Sequence, residues 1–391
     1  MIAWIAAGVA VFYSLWSVAL AVLFATRLRI PENGGPARVV LVLPATGALP
    51  GLEDLLTALS TQTLKPQRMI VAVEAADDPA FARVAALTER FSRLNIQLVV
   101  AGVSSLRGQK CTNLLAALAR LYADDAHVVL LDADIRPQPW WLAAMVGPLA
   151  AGRADIVNGY RWPVPTKLSL ASALIAGIDR PVAVLPRLPQ TRALWGGSLA
   201  LTRRALETLD LPATIARTLT EDLPIGEHAA QTGLRVLTRR AIRPATPIDG
   251  SLSDLWRFAR RQYQLIRLYR RGLWWLAAIV VSTDVVARTA LLAAVTASAA
   301  ALPAIVVIAA LGSAAVEVRL AISKKLGVRD GIGFRAAQHL LAWAILPTPL
   351  FHASVVWGGS VTSPVVWRHV RYLVDRTGQV IGVDHRPYAL D

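Results

Sequence analysis

Charge is scarce in this chain. Of its 391 residues 17% are charged and 55% hydrophobic, whereas a water-soluble domain usually carries about 25% charged residues. The deficit is local. Residues 2–26 contain no charged side chain, and about 20 apolar residues in a helix cross a bilayer. No basic residue precedes that run, and it is too long for a cleaved signal peptide. It reads as a membrane anchor. Cysteine is nearly absent, with Cys111 alone. This excludes an intrachain disulfide and any cysteine-based metal site, and it fits a catalytic part on the reducing, cytoplasmic side. Acid is the scarcer sign, 26 Asp and Glu against 41 Lys and Arg, for a net charge of +15. Such a surplus suits nucleic acid, an anionic membrane surface or phosphorylated ligands. No zinc-finger or RNA-binding signature accompanies it, so a nucleic-acid partner is not expected. The basic residues flank apolar segments instead: Arg27 and Arg29 after the first, Arg267, Arg270 and Arg271 before the second, Lys324, Lys325 and Arg329 after the third. That is the positive-inside pattern of an integral membrane protein. It predicts an outside N-terminus and a cytoplasmic catalytic unit.

Apolar runs at 274–299 and 302–322 are each long enough to span a bilayer. A third, at 340–357, contains Pro347-Thr-Pro349, which breaks a continuous helix. A kinked span or a re-entrant hairpin is expected there. Asp284 and Arg288 stand i,i+4 inside an apolar segment and are expected to pair, because lone charges are costly there. His352, beside the proline break, reads as structural. Between the anchor and these runs, a Pro/Gly-rich link at 30–36 leads into an alternating pattern. Short apolar strands are expected at 39–43, 69–73, 96–100 and 128–131. Helical spacing appears at 52–59, 81–94 and 113–121. This alternation predicts an α/β unit, a parallel sheet with helices on both faces. The expected division is an N-terminal transmembrane helix at 1–26 and a cytoplasmic globular domain at 37–271. A transmembrane or re-entrant region at 274–358 and a cytoplasmic tail at 359–391 follow. Apolar stretches at 168–178 and 182–188 are expected to be interfacial helices of the globular domain.

The fourth strand runs Val128-Val129-Leu130-Leu131 straight into Asp132-Ala133-Asp134. Side chains at the end of such a strand face a ligand crevice. Two carboxylates there lose solvation and repel each other, and a divalent cation relieves both problems. Mg²⁺ or Mn²⁺ held by one or two carboxylates commonly completes its shell with phosphate oxygens. Asp78 follows the second strand and can reach the same crevice. Lys110, opening a helix after Gly108, can supply positive charge to a phosphate or a uracil pocket. Trp195-Gly196-Gly197-Ser198 suits close backbone approach by a sugar or an acceptor. Glu221-Asp222 is an adjacent acid pair. Arg257, Arg260, Arg261, Gln264 and Arg267 recur at spacings of three and four, so one helical face can clamp a diphosphate. Each feature also has a plainer reading. Asp78 and Glu221-Asp222 are possible helix caps, Lys110 a solvated lysine, and the arginine face a contact for lipid phosphates.

In this order the motifs resemble those of the ceramide glucosyltransferases, membrane-anchored inverting glycosyltransferases of GT-A fold. The matching stretches are Asp77-Asp78-Pro79-Ala80, Lys110-Cys-Thr-Asn113-Leu114, Asp132-Ala-Asp134-Ile-Arg136, Gly197-Ser198 with Arg203 and Arg204, Glu221-Asp222, and Pro364-Val-Val-Trp367-Arg368-His-Val-Arg371-Tyr372. The resemblance covers nearly the whole chain. It implies a Rossmann-like nucleotide-diphospho-sugar transferase domain and a UDP-hexose donor, most simply UDP-glucose. It further implies a membrane lipid acceptor, most simply ceramide. Asp222 is then the catalytic base. Asp78, Lys110 and Asp132 bind the nucleotide sugar, and Asp132 and Asp134 hold Mn²⁺ or Mg²⁺. Trp195, Gly196, Gly197 and Glu221 line the acceptor site. The family's closing Gln/Arg-x-x-Arg-Trp motif has no full counterpart, for no Arg-Trp pair stands in 257–271. Arg257-Phe-Ala-Arg260-Arg261 and Gln264-Leu-Ile-Arg267-Leu268 are both open registers, with Arg260, Arg261, Gln262, Gln264 and Arg267 as the candidate diphosphate contacts. A hopanoid or diacylglycerol acceptor, a processive polysaccharide synthase and a non-catalytic lipid-binding or transport protein are the alternatives.

Overall fold

The computed structural model describes residues 2–31, 37–361 and 364–388; most of the link at 30–36 lies outside them. The chain groups into two compact units. One comprises residues 29–161, 187–246 and 363–391, and the other residues 1–28, 162–186 and 247–362.

The first unit is built on a sheet. Among the described residues its strands are β1 (Val39–Pro44), β2 (Arg68–Val73), β3 (Ile96–Val100), β4 (His127–Leu131), β5 (Ile156–Asn158), β7 (Ser198–Thr202) and β8 (Val236–Thr238), in the order β3-β2-β1-β4-β7-β5-β8. A separate two-stranded sheet of β6 (Trp162–Pro165) and β9 (Ala245–Ile248) belongs for the most part to the other unit. Every residue of β2 is buried, and β1 is buried up to its last residue. Their unbroken apolar runs reflect cover on both faces. The core packs Val40, Val42, Ile70, Val128, Leu130, Leu199 and Leu201 against Leu114 and Ala117 of the helix Gln109–Leu118 and Ile225 of the helix Asp222–Gln231. Each of the Val, Leu and Ile side chains contributes roughly 1.5–3 kcal/mol on burial.

The expectation of a parallel sheet needs correction. β3, β2, β1 and β4 are parallel, but β7 runs antiparallel to both β4 and β5. A buried apolar strand reads the same in either direction, so the pattern carries no strand sense. The consequence reaches the crevice. The parallel strands β2, β1 and β4 end together, with Pro44 opposite Ala72 and Val42 opposite Leu130. Because β7 is reversed, its first residue, Ser198, lies opposite Leu131. The 195–197 loop therefore enters at the edge where Asp132 leaves.

The C-terminal residues join this unit as a meander of β10 (Val365–Trp367), β11 (Val370–Val374) and β12 (Val380–His385). Tyr372 on β11 accepts a 2.9 Å hydrogen bond at its hydroxyl from the backbone N–H of Gln109. The helix that carries Lys110 is thus anchored at its first residue.

The second unit is helical. Three helices are long and apolar enough to cross a membrane, spanning Ala3–Arg27, Arg271–Ala297 and Ala299–Lys325. The helices Ile332–Trp343 and Pro347–Gly358 are bent by 85° at the break before Pro347, as the prolines require. Arg288 Nε donates to Asp284 Oδ1 at 2.8 Å, and its Nη2 to Ser14 Oγ at 3.1 Å, so the paired charges expected in the apolar segment are present. His352 takes the hydroxyl of Tyr263 as its partner. In place of two helices at 168–178 and 182–188 there is one, Leu170–Val184, opened by a Ser169–Ser172 capping box and ended before Leu185.

Candidate functional site

The crevice at the ends of β1, β2 and β4 collects the acids and the lysine from distant segments. Lys110 Nζ lies 2.7 Å from Asp132 Oδ1 and 2.7 Å from Glu221 Oε1. The Glu221 side chain is 1% exposed. Burial acts to pull the Lys110 ammonium down, but the charges of Asp132, Glu221 and Asp222 outweigh it and hold its pKa well above the ordinary value. Lys110 is a fixed cation, not the solvated lysine of the plainer reading. Burial pushes the Glu221 carboxyl up, Lys110 opposes this, and the like charges of Asp222 and Asp132 add to it. Its Oε2 is buried with no hydrogen-bond partner among the described residues.

Asp222 is held from three sides. Oδ1 accepts from Thr220 Oγ1 and from Leu223 N, both at 2.8 Å, and Oδ2 accepts from Gly196 N at 3.1 Å. Glu221 occupies the cap position of the helix Asp222–Gln231 without any side-chain cap bond. The acid pair is therefore not an ordinary helix cap. Gly196 and Gly197 are required by proximity. A Cβ on Gly196 would stand 1.9 Å from Glu221 Oε1, and one on Gly197 would stand 2.3 Å from the Trp195 ring and 2.7 Å from Asp132 Oδ2. The backbone N–H of Trp195 is tied to Asn158 Oδ1 at 3.2 Å.

Asp134 has an exposed residue surface. Its carboxyl is nonetheless pushed up to about 6 by loss of solvation and by the like charge of Asp132, against the opposing charges of Arg161 and Lys110. Given that exposure, the Asp132 charge is the firmer cause. Two neighbouring carboxylates with hard oxygen donors fit Mg²⁺ or Mn²⁺. Arg136 turns away from them to pair with Asp54.

Asp78 serves two ends. Oδ1 caps the helix Pro79–Thr88 through Ala80 N at 2.9 Å and also accepts from Gly47 N at 2.8 Å. Oδ2 is buried and has no hydrogen-bond partner among the described residues. Thr46 Oγ1, one residue before Gly47, is likewise buried and unpartnered. Such orphaned atoms need partners, and the N–H and O–H donors of a nucleoside would supply them. Cys111 is buried and its thiol pushed up by that burial, so it is an inert neighbour.

Lys110, Asp132, Trp195, Gly196, Gly197, Glu221 and Asp222 thus come together, with Asp134 coupled to them through charge. Arg260, Arg261, Gln262, Gln264 and Arg267 lie on the helix Leu252–Tyr269 in the other unit. There Arg260 Nε donates to Gly358 O at 2.8 Å, Gln262 Nε2 to Phe258 O at 3.4 Å and Gln264 Nε2 to Val361 O at 3.4 Å. Arg261 lies over the Phe258 ring and Arg267 over the Trp274 ring. Sequence reasoning missed Thr46 and Arg161, which carry no spacing signal. It also missed the hydrogen bond of Tyr372 to Gln109 and the closeness of Arg368 to Gly47, although both residues stand in the C-terminal signature.

The chain thus combines a mixed α/β sheet that gathers acids and a lysine at its strand ends with three helices long and apolar enough to cross a membrane. The chain belongs to glycosyl transferase family 21, which matches residues 2–380, and it is a glycosyltransferase. No curated protein sequence matches it. Among solved structures it is similar to the mannosyltransferase PcManGT from Pyrobaculum calidifontis in complex with GDP-Man and Mn²⁺. The identity is 19%, the match covers 87% of this chain and 98% of that one, and the TM-score is 0.47. A second is glucosyl-3-phosphoglycerate synthase from Mycobacterium tuberculosis, in complex with Mn²⁺, uridine diphosphate and glucosyl-3-phosphoglycerate. There the identity is 18%, the coverage 59% and 78%, and the TM-score 0.38.

Proposed function

We propose that this glycosyltransferase moves a hexose, most simply glucose, from a UDP-sugar to the hydroxyl of a membrane lipid, most simply ceramide, with inversion at the anomeric carbon. The observation that carries the reading is the Lys110–Asp132–Glu221 cluster with Gly196 and Gly197 packed onto it. It sets a buried cation, two carboxylates and a stretch of backbone without side chains side by side at the strand ends. Asp78 Oδ2 and Thr46 Oγ1 would meet the nucleoside. Asp132 and Asp134 would hold Mn²⁺ or Mg²⁺, which when bound stabilises negative charge on the leaving diphosphate. Lys110 adds a fixed positive charge to the same end. Arg260, Arg261, Gln262, Gln264 and Arg267 are proposed to contact the diphosphate, a role that rests on their charge and spacing alone.

Asp222 is the proposed base. Its three hydrogen bonds fix the carboxylate in place, and unlike Glu221 it is only half-buried. It takes the proton of the lipid hydroxyl as that oxygen forms the new bond to the anomeric carbon. The bond to the diphosphate oxygen breaks in the same displacement. The membrane-length helices would keep the catalytic unit at the bilayer, and the basic flanks support a cytoplasmic position for it.

Purified protein, UDP-[¹⁴C]glucose, Mn²⁺ and vesicles doped with ceramide test the proposal. A glycosylceramide of β configuration, identified by mass spectrometry and glycosidase digestion, is expected. Transfer to diacylglycerol or a hopanoid but not to ceramide would overturn the acceptor. A polymeric product would overturn single transfer.

A further inference from the structure

Glu74, the residue after β2, meets two histidines from the C-terminal meander. Glu74 Oε2 lies 3.0 Å from His369 Nε2, and Oε1 lies 3.0 Å from His385 Nδ1. The three ligand atoms all fall within 4.8 Å of one another. The Glu74 and His369 side chains are 4% and 6% exposed and His385 is 22% exposed. None of these residues belongs to the Asp132 cluster.

The protonation of His385 makes the cluster informative. Its Nε2 lies 2.9 Å from the backbone carbonyl of Ser104. A carbonyl oxygen only accepts, so Nε2 carries the proton. In the neutral ring Nδ1 is then a bare lone pair. That lone pair faces a carboxylate oxygen, and Nδ1 is buried with no hydrogen-bond partner among the described residues. Two acceptors pointed at each other across 3.0 Å are satisfied by a cation between them, a proton or a metal ion, and the second histidine on the same carboxylate favours the metal.

We infer that Glu74, His369 and His385 form a binding site for a transition-metal ion, with Zn²⁺ as the best match. The donor chemistry selects the metal. Two imidazole nitrogens and one carboxylate oxygen are a common zinc set, with bonds of about 2.0–2.2 Å, which place neighbouring ligand atoms roughly 3.3 Å apart in a tetrahedron. Small movements of the two 3.0 Å pairs reach that geometry. The Ser104 carbonyl on the far ring nitrogen of His385 is the outer-sphere contact that orients a zinc-bound imidazole. The all-carboxylate pair Asp132 and Asp134 suits a hard cation instead, so the two sites select different metals.

The site would pin the meander to the end of β2. The same meander supplies Tyr372 to Gln109 and sets Arg368 against Gly47. Zinc here would therefore brace both the lysine helix and the loop that Asp78 holds. Its part is structural, with no bond of the substrate made or broken at the ion.

Metal content of the full-length protein in detergent tests this. Protein stripped with chelator and dialysed against micromolar Zn²⁺ should retain one zinc per chain. Asp132→Asn/Asp134→Asn should retain it too, whereas His369→Ala/His385→Ala should not. Co²⁺ in place of Zn²⁺ should give the intense visible bands of a four-coordinate site, absent from the histidine variant. If the double variant does not fold, His385→Gln keeps a donor for the Ser104 carbonyl while removing the imidazole. Its zinc affinity should fall by about tenfold or more. Wild-type protein that retains no zinc, or a histidine variant that binds it as the wild type does, overturns the inference.

Discussion

Lys110 and Glu221 form a 2.7 Å ion pair in which the glutamate is almost wholly buried. One comes from the helix after β3 and the other from the segment before the helix Asp222–Gln231, so the pair fastens the two sides of the crevice. Removing one partner of a buried pair leaves an uncompensated charge and costs about 3–5 kcal/mol. Lys110→Met should lower the thermal midpoint of the metal-free, donor-free protein. Adding Glu221→Gln should recover part of the loss, as coupled neighbours do. Additive losses in that double-mutant cycle would show that the pair is not a fastening contact.

Asp222→Asn is nearly isosteric. It should leave UDP binding close to normal and cut lipid glycosylation by roughly two to four orders of magnitude, the usual contribution of a positioned base. Calorimetry with UDP and a transfer assay on the same preparation check both halves. Near-normal turnover would move the role to Glu221.

The glycine pair makes a steric prediction. Gly196→Ala drives a methyl group into Glu221, and Gly197→Ala drives one into the Trp195 ring and Asp132. Both neighbours belong to a packed cluster with little room to yield. Each variant should lose donor affinity and transfer together, with Gly196→Ala also lowering the thermal midpoint through Glu221. Wild-type kinetics in either would mean that the loop relaxes freely.

Asp134 predicts a pH response. In the metal-free protein its carboxyl stands at about 6, above the ordinary 3.8. Between those values the folded state keeps a proton that the unfolded chain has released. Stability is therefore gained as pH falls through the window and lost as pH rises through it. Thermal midpoints in EDTA should show this slope in the wild type and less of it in Asp134→Asn. Mn²⁺ must displace the same proton, so its affinity should weaken by about tenfold per pH unit below 6. A flat Mn²⁺ affinity across this range would remove Asp134 from the ligand set.

Much of this was legible in the chain. The parallel strands show as short β-branched apolar runs because both faces of β1 and β2 are covered. The three membrane-length helices show because such long uncharged runs are rare elsewhere, and the 85° break shows because Pro347 can open a helix but cannot continue the one before it. Asp132 and Asp134 stand out because carboxylates directly after a buried strand have to face a ligand, a cation or water. The tertiary structure alone decided three matters. The reversal of β7, which delivers Gly196 and Gly197 to Asp132, leaves no mark in an apolar run that reads equally in both directions. The pairing of Lys110 with Glu221 depends on helix packing across segments that no local periodicity connects. The meeting of Glu74 with His369 and His385 required the C-terminal meander to join the sheet unit, and a contact between residues so distant in sequence is set by burial and hydrogen bonding in the folded chain.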